Sequence, residues 1–323
     1  MPLLNHSTYP GPPRWQYNGH LQTLGPGIFR QVRGVEYKRE RISTPDDDFL
    51  DLDWIQRGNR RLVIVTHGLE GNSERSYVLG TAKLFAQNGW DVLAWNCRSC
   101  SGEMNRAFRM YHHGDTVDIS EVVQHAIASG QYDTVVLVGY SMGANITMKY
   151  LGVIGEQTPQ QVRAAAVFSA PCDLESGALV LDRWDNLVYK KRFLRALTKK
   201  LQQKGALYPD RLDLSKLNQV RRWRDFDEHF SAPICGYRDA ADFYKNSSAK
   251  NFIAGIRVPT LLVNALNDPI LTPACMPTEL ASDHPFFYLE LPEQGGHCGF
   301  QTRAGGEFAW AEQRALEFVS SFE

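Results

Sequence analysis

The sequence predicts an α/β fold: a mostly parallel central sheet with helices on both faces, and a helical lid inserted within it. Two observations carry this. From Leu62 onward, short β-branched runs alternate with longer helical patterns, which is the rhythm of βαβ units. That rhythm stops between Cys172 and about Ser248, where the pattern is helical and rich in Arg, Lys, Trp and Tyr, and it resumes at Thr260.

The elements follow in order. Two polar-apolar alternating runs, Tyr37 to Ile42 and Phe49 to Ile55, flank Thr44-Pro45-Asp46-Asp47-Asp48 and predict an antiparallel hairpin at a sheet edge. Strands are expected at Leu62 to Thr66, Asp91 to Trp95, Thr134 to Gly139 and Ala164 to Phe168, with helices at Ser76 to Asn88, Asp118 to Ser129 and Met142 to Leu151. After the helical region come strands Thr260 to Ala265 and Phe286 to Leu291. A last helix, Glu307 to Phe322, carries Phe308, Ala311, Ala315, Phe318 and Val319 near one face. The expected division is a core of 1–171 and 249–323, with an N-terminal extension 1–34, and a lid of 172–248.

The 323 residues suffice for such a core plus one insertion. With 35 Lys+Arg against 36 Asp+Glu, no global field recruits nucleic acid, acidic substrates or membranes. Met1 to Pro13 lacks the apolar centre of a signal peptide, and no run approaches the roughly 18 apolar residues of a membrane span, so a cytoplasmic location is expected. The six cysteines are scattered; Cys97 and Cys100 form a C-x-x-C without a second pair, so neither a metal nor another cofactor is expected.

Gly139-Tyr140-Ser141-Met142-Gly143 matches G-x-S-x-G between a buried strand and a helix, the context in which an α/β-hydrolase fold presents a nucleophilic serine. A serine needs a base, and in that fold the chain order is Ser, acid, His. Asp268 stands just beyond the strand Thr260 to Ala265, and His297, within Gly295-Gly296-His297-Cys298-Gly299, follows the last strand. Asp283 is a weaker competitor for the acid. His6 and His20 precede the core, His125 lies in a helix, and His284 precedes its strand. For the oxyanion, the backbone N–H of Met142 is one expected donor, and that of Leu69, in Thr66-His67-Gly68-Leu69, is the other; His67 is read as structural.

His113 and Asp118 have the H-x-x-x-x-D spacing seen in some acyltransferases, but Asp115 or Thr116 as a helix N-cap explains the segment better. Lys190, Lys191, Arg192, Arg195, Lys199, Lys200 and Lys204 share a stretch with Phe193, Leu194, Leu197 and Leu201. Such a helix could touch anionic lipid, but the favoured reading packs its apolar side inward and solvates its charges.

With these residues placed, the chain resembles the YheT-like family of α/β-hydrolases, which also contains plant embryogenesis-associated and animal abhydrolase-domain proteins. The marks are Asn18-Gly-His-Leu-Gln-Thr23, His67-Gly-Leu-Glu-Gly71, Arg98-Ser-Cys-Ser-Gly-Glu103, Tyr111-His-His-Gly-Asp-Thr116, Gly139-Tyr-Ser-Met-Gly-Ala144 and Gly295-Gly-His-Cys-Gly-Phe300. The resemblance implies carboxylesterase or lipase-like activity on acyl esters as small-molecule substrates, and carries the family's triad onto Ser141, Asp268 and His297. Eukaryotic relatives are associated with phospholipid or acyl-alcohol chemistry. Ser99 stands where glycine is expected. Acyl transfer to an alcohol or thiol, or a non-catalytic binding role, are the alternatives the same residues leave open.

Overall fold

The computed structural model describes residues 3–4 and 6–322. In chain order the elements are β1 (Leu3–Leu4), α1 (Gly19–Phe29), β2 (Lys38–Ser43), β3 (Phe49–Ile55), β4 (Arg61–Thr66), α2 (Ser76–Gln87), β5 (Asp91–Asn96), α3 (Thr116–Ala128), β6 (Thr134–Tyr140), α4 (Met142–Ile154) and β7 (Val162–Phe168). A wholly helical stretch follows: α5 (Leu174–Leu181), α6 (Leu187–Leu207), α7 (Trp223–Phe226), α8 (Ala232–Ile234) and α9 (Ala240–Ser247). Then come β8 (Thr260–Val263), α10 (Thr278–Ser282), β9 (Phe287–Glu290) and α11 (Trp310–Ser320).

The strands form one sheet in the order β1-β9-β8-β7-β6-β4-β5-β3-β2, parallel except where β3 pairs with β2 and with β5. Both faces are covered because side chains alternate along a strand. Leu62 and Ile64 of β4, and Val135 and Leu137 of β6, pack with α3 and α4, whereas Val63, Val65, Val136 and Val138 pack with α2 and α11. The predicted hairpin is β2–β3, at the sheet edge.

Strand order places the site. From β4 the chain moves outward to β5, then returns to lay β6 on the other side of β4. Where the order reverses, the connections leave the strands' carboxyl ends in opposite directions and open a crevice between them. Thr66 and Tyr140, the last residues of β4 and β6, border it.

Several expectations are corrected. Residues 1–34 supply a strand to the sheet, through β1 on β9, and a helix, α1, that reaches the loops after β8 and β9. The final helix starts at Trp310, with Glu312 accepting from Ala309 N–H, so Phe308 precedes it. The lysines of α6 are not all solvated: Lys204 is buried, donating to the carbonyls of Asn105 and Ala107, Lys200 pairs with Glu70, and Lys190 with Asp182. The expected cap is present: Asp115 accepts from Asp118 N–H at the start of α3. Ser99 adopts the left-handed φ of 62° that glycine would take, and its hydroxyl bonds Asn105. Among the described residues no helix is long and apolar enough to cross a membrane, and no group of three or more His, Cys, Asp or Glu could hold a metal ion. All six cysteines are free thiols.

Candidate active site

Ser141 follows β6 and caps α4 with φ 55° and ψ −120°, a strained conformation that turns the chain from strand to helix within one residue. The flanking glycines make room. A Cβ on Gly139 would stand 2.6 Å from the Gly143 carbonyl oxygen, and one on Gly143 would stand 2.3 Å from that of Thr66. The serine hydroxyl thus sits at the positive end of the α4 dipole, beside the loop that leaves β4.

His297 Nε2 lies 2.8 Å from Ser141 Oγ, and its Nδ1 lies 2.8 Å from Asp268 Oδ2. The other carboxylate oxygen of Asp268 accepts from Ile270 N–H at 2.9 Å. The Asp268 side chain is wholly buried and that of His297 nearly so. Asp283, at the end of α10, is not among the partners of His297.

The histidine's loop is tied on several sides. Thr23 Oγ1 accepts from His297 N–H at 2.9 Å, Asn267 Oδ1 from Gly296 N–H at 3.1 Å, and Ser169 Oγ from Cys298 N–H at 2.9 Å. Gln22 Oε1 accepts both from Gly295 N–H and from Asn267 Nδ2, joining α1 to the loops bearing Asp268 and His297. Gly19 permits that approach: a Cβ there would fall 2.0 Å from the Asn267 carbonyl oxygen. Gln22 and Thr23 stand inside the run Asn18 to Thr23 that marked the family resemblance, but no spacing rule joins them to a histidine more than 270 residues away.

Beyond β4, His67 is buried and orients the loop, its Nδ1 donating to the Gly68 carbonyl at 2.7 Å and its Nε2 accepting from Cys97 N–H at 3.1 Å. Burial pushes its pKa down to about 4, so the ring is neutral at pH 7. Gly68 N–H donates to the Tyr77 hydroxyl and Glu70 N–H to that of Tyr111. Among the described residues, Leu69 N–H, between them, has no protein acceptor, and neither does Met142 N–H at the first position of α4. The site therefore offers a hydroxyl with a base and two unspent donors.

The pocket above Ser141 has two adjoining compartments. The first touches Ser141 and His297 and is walled by Leu174, Ala178, Leu181 and Phe193; the second continues between Met110, Leu201, Phe226, Phe230 and Ile234. Leu69, His113, Trp223, Asp227 and Phe243 line both. Burial raises the Asp227 pKa to about 6, and Tyr244 donates to its Oδ2 at 2.8 Å.

Residues 61–304 match the α/β hydrolase fold family. Along 96% of its length the chain is 35% identical to the Escherichia coli protein named "Putative esterase YheT", covering 93% of that protein. The chain belongs to the α/β-hydrolase family, in its YheT-like branch. It is also 28% identical to mouse phospholipase ABHD3, over 93% of this chain and 74% of that protein. Among solved structures, the Pyrococcus furiosus esterase Pf2001 superposes with a TM-score of 0.59 at 17% identity, over 91% of this α/β-hydrolase and 98% of that chain, a likeness of fold. Ester hydrolysis is the activity these relatives support.

Proposed function

We propose that this α/β-hydrolase is a serine carboxylesterase acting on carboxylic (acyl) esters, with Ser141 as nucleophile, His297 as general base and Asp268 as the carboxylate that orients it. The observation that carries the reading is the unbroken pair of 2.8 Å contacts from Ser141 Oγ through the imidazole to Asp268. His297 Nε2 takes the hydroxyl proton as Oγ attacks the ester carbonyl, and the Leu69 and Met142 N–H groups hold the oxyanion. The imidazolium then protonates the departing alcohol, leaving an acyl-enzyme. Water, deprotonated by the same histidine, attacks the acyl carbon and releases the acid and free Ser141.

Residues 172–248 act as the lid in this reading. Each compartment leaves a cavity of only about 50 Å³, far below the roughly 300 Å³ of a small open ligand pocket, so an ester enters when the helices move. Lys200 ties α6 to Glu70 beside the oxyanion loop and is a natural latch. The outer face of that region supports lipid-surface contact. Trp184 and Val188 are 83% and 65% exposed, and Lys191, Arg192, Arg195 and Lys199 continue the same face without ion-pair partners among the described residues. Sedimentation with anionic but not zwitterionic vesicles is expected, and equal behaviour toward both would remove this element.

Fluorophosphonate labelling tests the chemistry. The reagent should modify wild type on Ser141 alone, as read by mass spectrometry, and should not modify S141A. Labelling at another residue would overturn the assignment.

A further inference from the structure

His113 lines both compartments, yet has no part in the proton transfers above. Among the described residues its ring nitrogens meet no hydrogen-bonding group, whereas the neighbouring His112 accepts from Gly114 N–H and packs on Tyr237 and Phe243. The backbone that carries the ring is firmly held. Its own carbonyl accepts from Asn145 Nδ2 at 2.8 Å, Lys149 Nζ donates to the Gly114 carbonyl at 2.7 Å, and a Cβ on Gly114 would stand 2.5 Å from Ser247 Oγ. This loop is fastened to α4 and α9, so the backbone keeps His113 at the junction.

Asp118, five residues on, is turned away and held by Arg98 and Arg109, so the two do not act as a pair. Burial lowers the His113 pKa to about 4; at pH 7 one ring nitrogen donates and the other accepts. The rest of the junction is Leu69, Trp223, Phe243 and Asp227, the last already engaged by Tyr244. Among the described residues the ring faces the pocket with both its donor and its acceptor free, and a ligand hydroxyl, itself both donor and acceptor, would pair with either nitrogen.

We propose that His113 is a specificity residue: its imidazole hydrogen-bonds a hydroxyl group carried on the chain that runs from the scissile ester across the junction, so hydroxylated esters are preferred over plain alkyl ones. This rests on Ser141 being the nucleophile. The hydroxyl can belong to either half of the ester, and paired probes distinguish them. For the acyl half the pair is 4-nitrophenyl 3-hydroxyoctanoate and octanoate; for the alcohol half it is monooctanoylglycerol and propyl octanoate.

Wild type should prefer the hydroxylated member of one pair by roughly tenfold or more in kcat/KM. His113→Phe should collapse that ratio to near unity, and His113→Gln, which keeps a donor and an acceptor, should retain part of it. No preference in either pair, or a His113→Phe loss equal for both members, would overturn the proposal. Fluorophosphonate labelling of the same preparations separates the readings. Unlabelled wild type would sink the nucleophile assignment, and a labelled enzyme blind to the hydroxyl would sink only the role of His113.

Discussion

The wall of the pocket supplied by the sheet and the wall supplied by α5 to α9 differ in what holds each side chain. On the sheet side, Ser141, His297 and Asp268 are joined by bonds of 2.8 Å, and their loops are tied to Thr23, Gln22, Asn267 and Ser169. On the helical side, Leu174, Ala178, Leu181, Trp223 and Phe243 are held by apolar packing against one another. Hydrogen bonds are directional and fix atoms to a few tenths of an ångström, while apolar packing is set by volume. On the proposed reading the first wall places the chemistry and the second the substrate fit, and the two should be separable by mutation.

The largest effect is expected at the sheet wall. Ser141→Ala should lower kcat/KM for a short ester by at least about 10⁴-fold while leaving the thermal midpoint nearly unchanged. Steady-state kinetics and calorimetry on the same sample check this, and substantial residual turnover would break the division of labour.

The walls should also respond oppositely to pH. His67, beside the oxyanion loop, has a folded pKa of about 4, below its unfolded value, so its contribution is present above about pH 6.5 and lost as pH falls toward 4. Asp227, on the helical wall, has a folded pKa of about 6, above its unfolded value; its contribution is present below about pH 3.8 and lost as pH rises through 6. Urea denaturation between pH 4 and 7 should show wild type gaining up to about 3 kcal/mol relative to His67→Gln and losing up to about 3 kcal/mol relative to Asp227→Asn. Shifts of the same sign would contradict the contrast.

A smaller effect is expected from Ala178→Phe, which fills the first compartment from the helical side. Dodecanoyl esters should lose at least about tenfold against acetyl esters, with the acetyl kcat little changed. Equal losses on both chain lengths would mean that the helical wall positions the chemistry too. The mildest change is Thr23→Val, which removes the acceptor for His297 N–H. A few-fold drop in kcat without a matching change in KM is expected, about 1 kcal/mol; a KM effect alone would place Thr23 in binding.

The core elements were readable because their signals are local. Alternation of side chains along β4 and β6, and the paired glycines around Ser141, act within a few residues, and the structure places both as expected. Boundaries moved where capping decided them: Asp115 begins α3 earlier, and the Glu312 carboxylate begins α11 later, than hydrophobic spacing implied. The order Ser141, Asp268, His297 also needed only the position of each residue after a strand, and the structure brings the three together.

Contacts between distant segments were not readable. The tie from Thr23 to His297 spans 274 residues, and that from Lys200 to Glu70 spans 130. α6 looked like a solvated basic helix because its charges follow helical spacing, yet Lys204 lies on the face turned inward. The sequence by itself determined which residues are candidates to react, since the proposed nucleophile, base and acid are picked out by residue type and place after a strand. Only the tertiary structure decided that α1 braces His297 and that His113 faces the pocket without a partner among the described residues, because each depends on which surfaces meet once the sheet has closed.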